Sequence, residues 1–306
     1  MRNWKVPKTS QDLVARSATV EESALADSSR RTYKQMLSVY QRVMEGMDRT
    51  PYPLTEENMR LFIEICRENN KTFSYVNLTI ESFVFWFREH NCQDLTKTVA
   101  FRAYKKGLRR VLHAGQLPNA KDAVTKEMLI KWVGLADPTE DQKHCETCFA
   151  FVMMFFGFLR HSELRGLKWN DIRRDENGLR VWIRHSKTDQ EYEGREFVLP
   201  KRKDEIDPMT WFQFYLIWNS GEESERVWHH SPNWLRNQVK IYAAYIQLPG
   251  ERFGCHSFRK GGAHAAFQAG IPDCAIKVHG RWKSEAYQRY TSVSAMEAAL
   301  RIGTEL

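Results

Sequence analysis

The sequence predicts a mainly α-helical protein of two domains, the second of which carries a small antiparallel sheet. Three observations lead there. Four stretches within residues 28–113 repeat apolar side chains at i, i+3, i+4 and i+7, the period of a helix packed by one face. Leu179, Val181 and Ile183 alternate with polar residues and Glu196-Phe-Val-Leu199 returns after a polar turn, the period of paired strands. Between them the polar run Leu117-Pro-Asn-Ala-Lys-Asp-Ala fits neither period and marks a linker over 119–124. With 306 residues the chain has room for both domains and a sizeable core.

Composition narrows the class. At 42% hydrophobic and 12% aromatic residues the chain is globular. Lys and Arg number 46 against 38 Asp and Glu, a net +8, which favours polyanionic partners over acidic substrates. Residues 1–120 hold most of the excess, with 19 Lys and Arg against 13 Asp and Glu. Six scattered cysteines fit reduced thiols and an intracellular protein. Cys145-x-x-Cys148 beside His144 suggests zinc, but no second ligand pair stands near and an apolar helix continues through it, so no metal is expected. No cofactor is expected either. Charges interrupt every hydrophobic run before it could span a bilayer, and residues 1–27 lack an apolar signal region.

Residues 1–27 are polar and mixed and read as an N-terminal arm. Ser28 and Ser29 offer a helix start, followed by Tyr33, Met36, Leu37, Tyr40, Val43, Met44 and Met47 at helical spacing. The segment 48–53 breaks this helix. Thr55 can cap the next, with Leu54 and Met59 placed as a hydrophobic staple. A third helix over 72–90 is rich in Phe and Val and suits the centre of a bundle. The fourth, over 96–113, sets Phe101, Tyr104, Leu108, Val111 and Leu112 on one side. Arg102, Lys105, Lys106, Arg109 and Arg110 fall on another. A charge run is ordinarily a solvated face, but a stripe of one sign without interleaved acids favours contact with DNA phosphates. These four helices make a first domain of residues 28–118.

Thr125 caps a helix containing Leu129, Ile130, Trp132 and Val133 and opens a second domain, 125–306. A buried helix is expected over 145–159, ending in Gly157-Phe-Leu-Arg160-His-Ser-Glu-Leu164. The two strands follow, with Lys187 in the turn between them. Apolar helices are expected over 209–218 and 232–246, the latter facing the core with Trp234, Leu235, Val239, Tyr242 and Ile246. His256 and Arg259 stand one turn apart near the start of a helix of small residues, which ends at Gly270. Pro272 starts a short helix that stops at Gly280, Tyr290 lies on another, and the tail from Val293 carries Met296, Ala299, Leu300 and Ile302.

These residues suit phosphodiester cleavage by a tyrosine. A phenol, with a pKa of about 10, must be bonded and placed before it attacks. Two guanidiniums can clamp the non-bridging oxygens and remain charged throughout. A lysine can protonate the leaving 5′ oxygen, and a histidine can help take the phenol's proton. In type and order, Arg160-His-Ser-Glu-Leu164, Lys187, His256-x-x-Arg259, Gly280-Arg-Trp282 and Tyr290 closely resemble the tyrosine recombinase (phage integrase) family. The resemblance covers 125–306, and the first four helices look like that family's helical SAM-like core-binding domain.

Carried over, the resemblance implies that Arg160 and Arg259 clamp the scissile phosphate and that Lys187 is the general acid. It implies that His256 serves the phosphate and the nucleophile, that Tyr290 attacks, and that Gly270 closes its helix. After Gly280 the family has His, or Trp in some members. Here that place holds Arg281, with Trp282 next. The sixth catalytic position is assigned to Trp282, ahead of Arg281 and His279, and Arg281 is taken as a DNA contact. Gly280-Arg-Trp-Lys-Ser284 resembles recombinases of eukaryotic mobile elements of the Crypton and DIRS type, which implies a nuclear location. The family further implies strand exchange through a 3′-phosphotyrosine and a Holliday junction. It implies a clamp on double-stranded DNA, and a homotetramer on two sites that is a monomer or dimer without DNA. The apolar tail is expected to dock on a neighbouring protomer. Two alternatives stay open: a DNA-binding protein of this fold that has lost catalysis, and an enzyme that relaxes DNA like a type IB topoisomerase. A third, a helical scaffold for a protein partner, would use the basic stripe without DNA.

Overall fold

The structure, a computed structural model, describes residues 25–113, 121–184 and 194–291. It divides between Pro118 and Asn119 into two compact units. The arm up to Asp27 falls almost wholly outside the described residues, and so do Lys187 and the tail from Val293.

Unit 1 is helical. It comprises α1 (Asp27–Glu45), α2 (Glu56–Glu68), α3 (Phe73–Glu89), a 3-10 turn (Leu95–Lys97) and α4 (Val99–His113). α1 starts one residue before Ser28, after Ala26, with Asp27 rather than a side-chain cap in its first turn. The Thr55 hydroxyl accepts the Asn58 N–H at 3.2 Å and the Thr72 hydroxyl that of Tyr75 at 3.3 Å, capping α2 and α3. Leu54 and Met59 are both buried, as a staple requires. The core centres on the fully buried Tyr40 and on Phe83 and Phe62, whose rings meet that of Tyr40 edge-on at 5.2 and 5.4 Å. α4 adds Phe101 and Leu108, with Tyr104 and Leu112 packed at the margin. Val111, expected inside, is 55% exposed: it lies at the flank of the apolar stripe, roughly 70° from its centre.

Unit 2 is built on α6 (Gln142–Phe156), whose residues from His144 to Phe155 are all buried. α6 starts earlier than expected because the Asp141 carboxylate caps it, accepting the His144 N–H at 2.8 Å. Around it stand α5 (Lys126–Val133), α7 (His161–Gly166), α8 (Pro208–Trp218), α9 (Trp234–Tyr245) and α10 (Cys255–Gln268). The short α11 (Asp273–His279) and α12 (Gln288–Thr291) close the described chain. The sheet is antiparallel, in the order β1 (Ile172–Asp175), β2 (Gly178–Ile183), β3 (Arg195–Pro200). Leu179 pairs with Leu199 and Val181 with Phe197, so the alternation buries one face. β1 was not anticipated; it is short, and two of its four residues are exposed arginines.

Residues 121–124, read as linker, belong to unit 2. The Asp122 N–H donates to the Arg252 carbonyl at 2.7 Å and the Val124 N–H to that of Ser257 at 3.0 Å, and Val124 is fully buried. Gly270, with φ of +77°, closes α10 as expected. Its N–H bonds the Phe267 carbonyl at 2.9 Å and that of Ile271 bonds Ala266 at 3.1 Å, a Schellman ending. Cys145 and Cys148 lie in the core, where both His144 ring nitrogens are engaged, by the Tyr242 hydroxyl at 2.9 Å and the Val133 carbonyl at 3.1 Å. Among the described residues no helix is long and apolar enough to cross a membrane.

Candidate active site

Four separate pieces of unit 2 converge on one spot: the turn after α6, the start of α7, α10, and the chain from α11 to α12. Phe158 takes a left-handed conformation, φ +45°, and presents its carbonyl to two arginines. Arg259, on the first turn of α10, donates through Nη1 to that carbonyl and through Nη2 to the Gly280 carbonyl at 2.6 Å. Arg281 donates through Nη2 to the same Phe158 carbonyl at 3.1 Å and to that of Gly157 at 3.0 Å. Its Nη1 bonds the His279 carbonyl at 2.9 Å.

At the centre of these cations lies Glu163, 3% exposed. Its carboxylate accepts from Arg160 Nη1 at 2.6 Å, from the Arg160 N–H at 2.9 Å and from Arg281 Nη2 at 3.2 Å, and lies 4.0 Å from Arg259 Nη1. Burial pushes its carboxyl up, but the charges of Arg281 and Arg160 more than offset this and hold it below the ordinary value. Sequence reasoning quoted Glu163 in its motif and gave it no role. The available signal was its place three residues after Arg160, where a glutamate in the first turn of a helix reaches back to the residue before it.

The nucleophile candidate sits at the rim. Tyr290 Oη lies 2.7 Å from His256 Nε2. Desolvation by the surrounding protein, with the charges of Arg259, Arg160 and Lys260 pushing the same way, holds the His256 imidazole below its ordinary 6.5. It is therefore neutral at pH 7 and able to accept a proton. If this imidazole serves as a base, the acid limb of the rate it governs is expected below pH 6.5. A limb above 6.5 in a pH series of that rate would contradict this reading of His256.

Trp282 lies between the two halves of the site. The Arg259 guanidinium stacks 4.2 Å from its ring, and the Tyr290 ring lies 5.9 Å away. A side chain at Gly280 would stand 1.7 Å from a Trp282 ring carbon, so glycine lets the indole lie back over the chain. Burial under that ring, with Arg160 alongside, presses the Arg259 guanidinium down to about 9, which still leaves it charged at neutral pH.

The structure thus brings Arg160, His256, Arg259, Trp282 and Tyr290 together, while Lys187 lies outside the described residues. Arg281 is a correction. Expected to face DNA, it is instead 6% exposed, with Nη1 and Nη2 on three carbonyls and Glu163, and serves here as a buried strut. The reason is its left-handed backbone, φ +57°, which turns Arg281 inward and leaves Trp282 over Arg259. His279 donates from Nε2 to the Phe156 carbonyl at 2.6 Å and its ring packs between Phe158 and Phe197. In unit 1, Arg102, Lys106, Arg109 and Arg110 are exposed along α4, whereas Lys105 is half-buried with Glu81 at 3.8 Å.

No model of a known protein family and no curated protein sequence matches the chain. Solved structures do. The XerH site-specific recombinase bound to palindromic difH substrate, a post-cleavage complex, superposes with a TM-score of 0.63 at 15% identity, over 90% of this chain and 79% of that one. The Tn1549 transposon integrase in complex with transposon right end DNA gives 0.61 at 14% identity, over 89% and 93%. A lambda integrase dimer bound to a COC′ core site gives 0.59 at 14% identity, over 93% and 77%. The chain has the fold of the tyrosine recombinases.

Proposed function

We propose that the chain is a site-specific DNA recombinase that cuts and rejoins double-stranded DNA through a covalent bond to Tyr290. The observation that carries this is the 2.7 Å contact between His256 Nε2 and Tyr290 Oη beside the clustered arginines. Tyr290 Oη attacks phosphorus while its proton passes to His256 Nε2. The new O–P bond replaces the bond from phosphorus to the 5′ oxygen, which leaves with a proton assigned to Lys187. Arg160 and Arg259 hold the non-bridging oxygens, where charge collects in the transition state. Arg259 is 1% exposed, so the Trp282 ring gives way when a phosphate enters. The 3′-phosphotyrosine keeps the bond energy, and a 5′-hydroxyl from a second strand reverses the step. Repeated on two sites by four protomers, this yields a Holliday junction. The exposed cations of α4 hold backbone phosphates. That the solved structures of this fold include DNA complexes supports the reading. The motif from Gly280 to Ser284 supports an origin in a mobile element.

The test is a pool of randomised duplexes, each nicked so that the covalent product is trapped, run on denaturing gels beside Tyr290→Phe. The expected result is a protein–DNA adduct that disappears in Tyr290→Phe. Duplex binding without an adduct would instead indicate a DNA-binding protein that has lost catalysis. Relaxation of plasmids that lack any preferred site would indicate a topoisomerase.

A further inference from the structure

Attack by Tyr290 needs its hydroxyl at a fixed place, and α12, which carries it, is four residues long. A helix of that length takes its stability from packing and not from its own hydrogen bonds. The surface it packs on is α10. Tyr287, 5% exposed, lies in one apolar cluster with Phe158, Ile276 and the fully buried Ala263 of α10, and Tyr290 and Phe267 pack against that cluster. Apolar contact has no direction, so it sets the depth of the segment and leaves it free to slide or turn. Two directed bonds remove that freedom, and both come from histidines of α10. His256 Nε2 meets Tyr290 Oη at 2.7 Å. His264 Nδ1 lies 3.2 Å from the Tyr290 backbone carbonyl. A carbonyl oxygen only accepts, so the His264 ring donates from Nδ1.

The two histidines stand eight residues apart on α10, about 12 Å along its axis. Tyr290 is therefore held at both ends, by its hydroxyl at the first turn of α10 and by its carbonyl two turns further on. We propose that His264 is a positioning residue for the nucleophile. It touches no reacting atom, and it sets where Tyr290 Oη stands against His256 and the arginines. This rests on the DNA reading for the reaction it serves, whereas its bond to α12 does not depend on that reading. Without the bond the phenol rides on a segment that can shift, and a shift of about 1 Å at a reacting atom can cost about 100-fold in rate.

The test uses the full chain and side chains that differ in where they carry a donor. An Asn amide nitrogen reaches about as far as a histidine Nδ1, and a Gln amide about as far as Nε2. His264 is half-buried, so His264→Leu, His264→Asn and His264→Gln are all expected to fold, as circular dichroism would verify. In single turnover, His264→Leu is expected to form the Tyr290 adduct about 10–100 times more slowly. Duplex affinity, measured in a Tyr290→Phe background, should match that of the parent. His264→Asn should recover most of the rate and His264→Gln should not. If His264→Leu cuts at the native rate, or if all three variants are slowed alike, the inference is overturned, the second result meaning that the ring acts by packing alone. A second arm needs no DNA and follows amide hydrogen exchange over residues 285–291 by mass spectrometry. Exchange there should rise in His264→Leu and return towards the native level in His264→Asn, with α6 unchanged in both. If the parent forms no adduct on any duplex but shows this pattern, the hold on α12 stands and the DNA reading falls. If exchange over 285–291 is the same in every variant, the inference is overturned whether or not the parent cuts DNA.

Discussion

Glu163→Ala is expected to cost about 3–5 kcal/mol of stability, because it leaves buried charge uncompensated. Arg160 and Arg281 bond this carboxylate directly, and Arg259 lies 4.0 Å from it. Arg259 and Arg281 are 1% and 6% exposed, so bulk solvent does little to screen the charge left uncompensated. Arg160 and Arg259 would also lose their mutual placement, so cleavage should fall with stability. Glu163→Gln separates charge from shape: the amide oxygen can still accept the Arg160 N–H, but the negative charge is gone. Its loss should be smaller in urea unfolding and still plain at pH 7. The pH dependence has a definite sign. The folded carboxyl titrates below its ordinary 4.5, so the folded state binds this proton less readily than the unfolded chain. Its stabilisation is full above pH 4.5 and is lost as pH falls through the folded value. The gap between the native protein and Glu163→Gln in urea midpoints should therefore narrow below pH 4.5. A gap that stays constant down to pH 3 would remove Glu163 from this role.

What could be read in the sequence was what neighbours in the chain decide. Thr55, Thr72 and Thr125 each cap a helix because the hydroxyl and the N–H it accepts are three residues apart. The alternation at Leu179, Val181 and Ile183 fixes which face of β2 is buried. Glu163 escaped because its partner Arg281 lies 118 residues away, and local spacing carries no trace of that pairing. Arg281 was misplaced for a related reason. In Gly280-Arg281-Trp282 either large side chain could turn inward, and the choice is made by a left-handed backbone that no residue type there demands. The segment 121–124 has a linker's composition. What seats it on unit 2 is a pair of backbone hydrogen bonds, to Arg252 and Ser257, and sequence says nothing about their partners.

Gly261→Ala should unseat that segment, and it turns a small-residue pattern into a measurable quantity. An added Cβ at Gly261 would stand 1.7 Å from the Val124 carbonyl oxygen and 2.8 Å from its carbon. Those are backbone atoms, held by the 3.0 Å bond from the Val124 N–H to Ser257 and by full burial of the Val124 side chain. Relief requires either pulling Val124 from the core or shifting α10. Overpacking of this kind costs about 1–3 kcal/mol, at the upper end or beyond where backbone must move, so a net loss of about 2 kcal/mol is expected after the gain of about 1 kcal/mol in helix propensity. Gly107→Ala is the matched control. Gly107 lies within α4, is exposed, and an added Cβ there would meet nothing within 4 Å. The same change should stabilise unit 1 by about 0.5–1 kcal/mol. Opposite signs in denaturant unfolding would show that the glycine at 261 is required by close approach and the one at 107 is not. Because α10 also carries His256 and Arg259, Gly261→Ala should slow formation of the Tyr290 adduct even at temperatures where the protein remains folded. Equal adduct rates in folded Gly261→Ala and native protein would mean that α10 tolerates the shift without moving its two site residues.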